Sequence, residues 1–273
     1  MNLTSPTEIK KLLDEVHARP SKHYGQNFLI NKGVLEKIIE FSNIKKDDVV
    51  LEVGPGPGAL TKEISKKAAK VIVIEKDRNM IKVLEKVLDI EKIENVDIIN
   101  EDVLKLDLEE LEIKNYKLIA NIPYYITSAL IRKFLEEKIK PEKIILMIQK
   151  EVAQRICETK KMSILSLSVQ FYADPKILFF VSSGSFFPAP KVDSAVIEIT
   201  PKTITPDESE IFFKFIKAGF SSPRKQVVSN LSQNLKLNKE DVKKIFEKLD
   251  LDTRIRAEDL TLKNWLELMT MIK

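Results

Sequence analysis

The 273-residue chain reads as an α/β protein: a doubly wound, mostly parallel sheet with an antiparallel edge, followed by a small C-terminal all-α domain. Three observations predict this. Short apolar runs alternate with amphipathic helical segments from residue 34 to residue 158, as in parallel strands joined by helices. The alternation then stops, and strand-like stretches at 166–172, 177–181 and 194–199 follow one another without helices between them. Beyond residue 206 only helical periodicity remains, over 211–220, 224–235, 239–249 and 260–272. The Thr/Pro segment 201–206 reads as a linker, which gives domains 1–206 and 207–273.

Taken in order, residues 7–16 form a short helix with Ile9, Leu12, Leu13 and Val16 on one face. Residues 21–31 are too rich in polar residues, Gly and Asn for a regular element, yet carry Phe28, Leu29 and Ile30. A loop with an apolar anchor suits a binding lid. It also suits a capped entry into the next helix, with Asn31 as N-cap. Residues 48–53 form a nearly continuous apolar strand that runs into Gly54-Pro55-Gly56-Pro57-Gly58 and then a helix. Strand, glycine loop, helix is a nucleotide-binding arrangement, because glycines let a ligand approach the main chain closely. The next strand, 71–74, ends at Glu75, 21 residues after Gly54. A carboxylate there can accept both hydroxyls of a ribose. A helix over 80–88 leads to the strand 96–99 and then to Asp102, a second acid at a strand end. It can serve a ligand amine or simply a turn.

Residues 117–120 form the fourth strand and feed Asn121-Ile122-Pro123-Tyr124. The Asn side-chain oxygen and the carbonyl of Ile122 or Pro123 are two neighbouring acceptors. They suit a planar exocyclic amine with two N–H donors, and Tyr124 adds a ring on which a heterocycle can stack. The alternative is a structural turn with a half-buried tyrosine. A helix over 127–137, a strand over 143–149 and a helix over 150–158 complete the alternating part. Within 185–193, Phe186 and Phe187 precede Pro-x-Pro. Neighbours in an extended segment face opposite ways, so one ring is expected inside and one outside.

Composition narrows the classes. One cysteine excludes an internal disulfide, and two histidines with it are too few for a typical zinc site. No apolar run reaches the length of a membrane span, and residues 1–11 carry no signal-like core. A reduced, cytoplasmic protein is expected. With 45 basic against 41 acidic residues, the net charge of +4 permits an anionic partner without requiring one.

Seven blocks together resemble one family. They are Tyr24-Gly25-Gln26-Asn27-Phe28-Leu29, Glu52-Val53-Gly54-Pro55-Gly56, Glu75-Lys76-Asp77, Glu101-Asp102, Asn121-Ile122-Pro123-Tyr124, Gln149-Lys150-Glu151-Val152, and the run from Phe186 to Val196. In this order they resemble the small-subunit ribosomal RNA adenine N6,N6-dimethyltransferases. More distantly they resemble the large-subunit enzymes of macrolide resistance and mitochondrial transcription factors of the same fold. The resemblance implies a Rossmann-like, class I S-adenosylmethionine-dependent methyltransferase sheet with a helical RNA-recognition domain. It implies S-adenosylmethionine as cofactor, held by Asn27, Leu29, Gly54, Glu75, Asp102 and Asn121. It implies Asn121, Pro123 and Tyr124 as the catalytic group, with Tyr124 and Phe186 stacking on a flipped target adenine. No metal is implied. The implied partner of this monomer is a 16S rRNA assembly intermediate of the small ribosomal subunit. Pro223 departs from the pattern, standing where the family has a polar or basic residue before Arg224-Lys225.

Three rival readings are weighed. A nicotinamide dehydrogenase fits Gly54-x-Gly56-x-x-Ala59 but leaves Asn121 to Tyr124 unexplained and lacks a catalytic His or Lys. A non-enzymatic RNA-binding factor on the same fold is opposed by intact Glu75, Asp102, Asn121 and Tyr124. A large-subunit adenine N6-methyltransferase fits less well, because the run Lys191-Val192-Asp193-Ser194-Ala195-Val196 is closer to the small-subunit family.

Overall fold

The computed structural model describes residues 1–21 and 24–272. In chain order the elements are α1 (Pro6–Glu15), β1 (Phe28–Leu29), α2 (Lys32–Ser42), β2 (Val49–Val53), α3 (Ala59–Ser65), β3 (Lys70–Glu75), α4 (Arg78–Glu91), β4 (Val96–Asn100), β5 (Lys117–Asn121) and α5 (Thr127–Glu136). They continue with β6 (Lys143–Gln149), α6 (Lys150–Cys157), α7 (Ile164–Tyr172), β7 (Ala173–Val181), β8 (Phe186–Phe187), β9 (Ser194–Pro201), α8 (Pro206–Gly219), α9 (Val227–Leu235), α10 (Lys239–Lys248) and α11 (Leu262–Met271).

The large sheet has the strand order β4-β3-β2-β5-β6-β9-β7. Strands β2 to β6 pair in parallel, and β9 runs antiparallel to β6. The expected antiparallel edge is therefore present. The order reverses between β2 and β5, and ligands bind at such a switch point in open α/β sheets. The central strands are buried on both faces: Val50, Leu51, Val71, Val73, Leu118, Ile119 and Ile144 to Ile148 are at most 1% exposed. Such continuous apolar runs are what a sheet covered on both faces requires. Asn31 caps α2 as expected, its side chain accepting from the Val34 N–H at 3.1 Å.

One expectation is overturned. Residues 166–172 are not a strand but most of helix α7. Leu167, Val169 and Phe171 alternate as in a strand, yet Leu167 and Phe171 also lie four apart, on one helical face. Ser163 settles the choice, because it and Ser166 form a capping box that satisfies the first helical N–H groups. Phe171 then stacks on Phe212 of α8, with ring centroids 4.0 Å apart.

Two compact units result, Met1–Ala153 with Pro175–Pro201, and Gln154–Asp174 with Lys202–Lys273. This division differs from 1–206 and 207–273 mainly by the segment 154–174, whose helix α7 packs on α8 and α11. Among the described residues, no helix is long and apolar enough to cross a membrane.

In the second unit the lone tryptophan, Trp265, is fully buried. Phe215 meets it edge-on and Phe220 stacks on it, at centroid distances of 5.9 and 5.6 Å. Buried Asn230 holds the C-terminal end of α8 by donating to Gly219 O at 2.7 Å and Ser222 O at 3.0 Å. A Cβ on Gly219 would lie 2.2 Å from Trp265 Cη2. Gly219→Ala is therefore expected to lower stability by about 1–3 kcal/mol through overpacking. Urea unfolding followed by the fluorescence of Trp265 measures it. An unchanged midpoint would show that the ring has room to shift.

Candidate active site

The site is assembled from strand ends. A cavity lies along the carboxyl edge of the sheet, lined by residues 24–29, 52–57, 74–76, 101–104 and 121–126. It collects every residue expected to bind or react except Phe186. After β2 the chain turns at Gly54, with φ +67°, and Gly56, with φ +53°. A Cβ at Gly56 would meet the Phe28 ring at 3.1 Å. The loop needs glycine for its backbone angles at both positions and for clearance at Gly56.

Two acids stand beneath this loop. Glu75, the last residue of β3, is 9% exposed, and its Oε1 accepts the Asp77 N–H at 2.8 Å. Burial pushes its carboxyl up to about 7, against N–H donors of Asp77, Lys76 and Gly56, while the Asp77 charge adds to the rise. Glu52, in β2 beside it, is 1% exposed. Burial pushes its carboxyl up to about 8, against a smaller pull from the neighbouring Thr61 hydroxyl, and the Glu75 charge raises it further. Its Oε2 and the Thr61 Oγ1 are buried with no hydrogen-bond partner. Asp102, beyond β4, differs. Burial raises its pKa, but the Lys76 ammonium at 2.9 Å from Oδ2 and the Leu104 N–H at 3.0 Å from Oδ1 outweigh this and hold it low.

The segment 24–29 roofs the cavity. Gln26 ties it down by donating to Asp77 Oδ2 at 2.8 Å and accepting from the Ser21 N–H at 2.7 Å. Lys22 and His23 of the same segment lie outside the described residues. Phe28 and Leu29 pair antiparallel with Phe187 and Phe186. Asn27 presents its carbonyl, which accepts from the Asn121 side-chain N–H at 3.1 Å. That bond fixes the amide of Asn121 so that its oxygen remains the acceptor.

Asn121 ends β5 at the switch point. The chain then turns through Pro123 into a short 3-10 turn, Tyr124–Ile126. Pro123 O already accepts from the Ile126 N–H at 3.2 Å. Of the two expected backbone acceptors, the Ile122 carbonyl is therefore the better placed to pair with an incoming donor. Tyr124 is half-buried, and its hydroxyl lies 2.7 Å from Ser194 Oγ. Burial raises the phenol's pKa, with Ser194 opposing. The hydroxyl is thus occupied, which leaves the ring as the working surface. Phe186 is 3% exposed and packs in the sheet core with Leu29, Val181 and Val196, whereas Phe187 is partly exposed. The two rings do face opposite ways, but Phe187 packs, partly buried, against the cluster of Ile9, Leu12 and Phe28, so the expectation of one ring outside is not met.

The arrangement fits a nucleoside. Glu75 can accept from a ribose diol, Asp102 from an exocyclic amine, and the glycine loop leaves its main chain open to close approach. Glu52, Gln26 and Ser194 stand within the blocks that carry the resemblance but are given no role of their own there. Glu52 left a further signal, a carboxylate between Leu51 and Val53 in an otherwise apolar strand.

Glu52 makes stability depend on pH. Its folded-state pKa of about 8 exceeds the ordinary 4.5, so the folded protein holds the proton more tightly. The resulting stabilisation is full below pH about 4.5 and is lost as pH rises through about 8. Glu52→Gln removes this dependence. The melting temperature of the variant relative to the parent is expected to rise between pH 5 and pH 8.5. Parallel shifts at the two pH values would show that Glu52 is not buried as an acid.

Known proteins place this architecture. The family described as ribosomal RNA adenine dimethylase matches residues 18–273. A ribosomal RNA small subunit methyltransferase A from Dehalococcoides mccartyi is 40% identical, over 96% of this chain and 91% of its own. A dimethyladenosine transferase from Plasmodium falciparum superposes with a TM-score of 0.75 at 28% identity, over 88% of this chain and 95% of its own. The 23S rRNA methyltransferase ErmE superposes with a TM-score of 0.76, over 90% of this chain and 99% of its own, but at 24% identity this likeness speaks for the fold alone. With the extent of these matches and the arrangement of its strand-end residues, the chain belongs to the ribosomal RNA adenine dimethylase family.

Proposed function

We propose that this protein methylates N6 of two adjacent adenines in the 3'-terminal hairpin loop of small-subunit (16S) ribosomal RNA. In this reading it acts as a monomer in the cytoplasm, on an assembly intermediate of the small subunit, using the S-adenosylmethionine of its family. The observation that carries the reading is the group at the end of β5. The Asn121 oxygen, oriented by Asn27, and the Ile122 carbonyl adjoin a tyrosine ring whose hydroxyl is already occupied.

When bound, S-adenosylmethionine supplies an electrophilic methyl group on a sulfonium sulfur. Glu75 would hold the ribose, Gly54 would lie under the cofactor, Asp102 would take its adenine amine, and Asn27 and Leu29 would close over it. The remaining task falls on the protein. The N6 lone pair of adenine is delocalised into its ring and is a poor nucleophile. Two acceptors, Asn121 Oδ1 and Ile122 O, take its two N–H groups and favour a pyramidal nitrogen. Tyr124 holds the purine plane so that this nitrogen keeps a fixed position, which is the entropic part of catalysis. A base must leave its stack to arrive there, at about a few kcal/mol, and a loop base leaves more easily. Tyr124 would stack on one side of the purine and Phe186 on the other, for which Phe186, 3% exposed, would have to leave its packing with Leu29, Val181 and Val196.

Incubation with radiolabelled S-adenosylmethionine and ribosomal subunits lacking the modification tests the reading. Label is expected on small subunits, as N6,N6-dimethyladenosine, and not on large ones. The reverse result would favour a large-subunit enzyme.

Two substitutions separate the roles. Glu75→Ala is expected to weaken cofactor binding by about 1.5–3 kcal/mol per lost charge-assisted bond, measured by calorimetry on a folded variant. Unchanged affinity would remove Glu75 from the cofactor site. Tyr124→Ala is expected to slow methylation strongly at unchanged cofactor affinity, whereas Tyr124→Phe keeps much of the rate because the ring persists. If the phenylalanine variant were as slow as the alanine one, the phenol would have a chemical role and stacking would not be the mechanism.

A further inference from the structure

A second aromatic surface lies along the same rim, outside the cavity. Phe180, in β7, is 53% exposed, the most exposed phenylalanine among the described residues. The Lys150 ammonium sits over its ring, 5.2 Å from the centroid. Lys150 opens α6 directly after β6, at the carboxyl edge of the sheet, and its N–H donates to Asp193 O at 3.0 Å. That bond draws the loop bearing exposed Lys191 and 40%-exposed Val192 against it. The next residue, Ser194, holds the hydroxyl of Tyr124. An unbroken series of contacts therefore runs from the reactive tyrosine through Ser194 and Asp193 to Lys150 and Phe180.

We propose that Phe180 and Lys150 form a nucleotide platform that holds an unpaired nucleotide flanking the target adenine. The inference rests on the RNA reading of the site and extends it beyond the flipped base. A solvated phenyl ring under an ammonium has a chemical logic for single-stranded RNA. The open area of the ring takes a base by stacking, without sequence preference, and the ammonium takes a phosphate. Lys191 adds a second cation on the same rim, so the charge fits a polyanion. Phe180 forgoes apolar burial that the neighbouring Val181, 2% exposed, obtains, and its ring is therefore open to a ligand.

The position also suits the reaction. A base that leaves its stack for the Asn121 pocket takes its neighbour out of register. A platform beside the pocket captures that neighbour and offsets part of the unstacking. Phe180 then contributes to RNA binding and leaves the cofactor end of the cavity untouched.

Full-length protein is titrated with a synthetic RNA hairpin carrying adenines in its loop, and cofactor affinity is measured in parallel. Phe180→Ala is expected to weaken hairpin binding by about 5- to 100-fold, with cofactor affinity unchanged. Phe180→Trp is expected to match or exceed the parent, and Phe180→Leu to behave like the alanine variant. Lys150→Gln is expected to reduce the dependence of log affinity on log salt by about 0.7 to 1. Phe41, also exposed (41%) but on α2, serves as control: Phe41→Ala is expected to bind RNA normally.

Parent-like hairpin binding by Phe180→Ala or Phe180→Leu would overturn the platform. So would a Phe180→Ala defect seen only with intact ribosomal particles, since that would indicate a protein contact. If the parent neither binds the hairpin nor methylates RNA, the functional reading fails, and the platform fails with it. If the parent methylates and the Phe180→Ala and Phe180→Leu variants bind the hairpin as the parent does, the platform alone fails.

Discussion

A carboxyl group buried without a cationic partner is costly to ionise and holds its proton. Glu52 and Glu75 stand at neighbouring strand ends, and among the described residues neither takes part in a salt bridge. The surrounding architecture can be understood as the means of holding them there. N–H groups of Gly56, Lys76 and Asp77 converge on Glu75. Parallel register sets Glu52 of β2 opposite Val73 of β3, two residues before Glu75 and so on the same face of the sheet. The apolar core through Val50, Val71, Val73 and Ile119 supplies the stability that this arrangement draws down. Functional sites are where such local conflicts are expected.

The end of β5 follows another logic. Nothing there is charged, and the groups work by direction. An amide can turn either way, and the Asn27 carbonyl, by accepting from the Asn121 side-chain N–H, decides which way the Asn121 oxygen faces. A tyrosine can donate, accept or stack, and Ser194 takes up its hydroxyl. In both cases a distant segment removes one of the side chain's options. Preorganisation here means that the wrong hydrogen bonds have already been made elsewhere.

That division explains what was legible in the sequence. The parallel strands were readable because continuous apolar runs such as Val71 to Ile74 are bounded by turn residues and charges. The gathering of Glu75, Asp102 and Asn121 about one cavity was readable because all three stand at or just beyond strand ends on one edge of the sheet. Helix α7 was misread because its apolar residues satisfy two periodicities at once, and the serine cap that decides between them is short and weak as a signal. Assigning 154–174 to the helical unit required knowing that Phe171 meets Phe212. The partners of the site residues were hidden for a similar reason. Ser194 lies 70 residues from Tyr124, and no local pattern joins them. Phe186 was placed correctly in the loop, but its burial depends on core neighbours that spacing does not reveal.

The small ladder between β1 and β8 has a consequence of its own. Ile30 N–H donates to Ser185 O at 2.8 Å, and the Asn31 side chain donates to Ser185 Oγ at 3.2 Å, extending the pairing of Phe28 and Leu29 with the Phe186 loop. The roof of the cavity and the Phe186 loop are thus one hydrogen-bonded body. A ligand that orders one of them has already met part of the ordering entropy of the other. By thermodynamic reciprocity, whatever the first ligand does to the affinity of the second, the second does equally to the first. A two-residue strand pair thereby makes two segments far apart in the chain a single hydrogen-bonded support, so that what orders one orders the other.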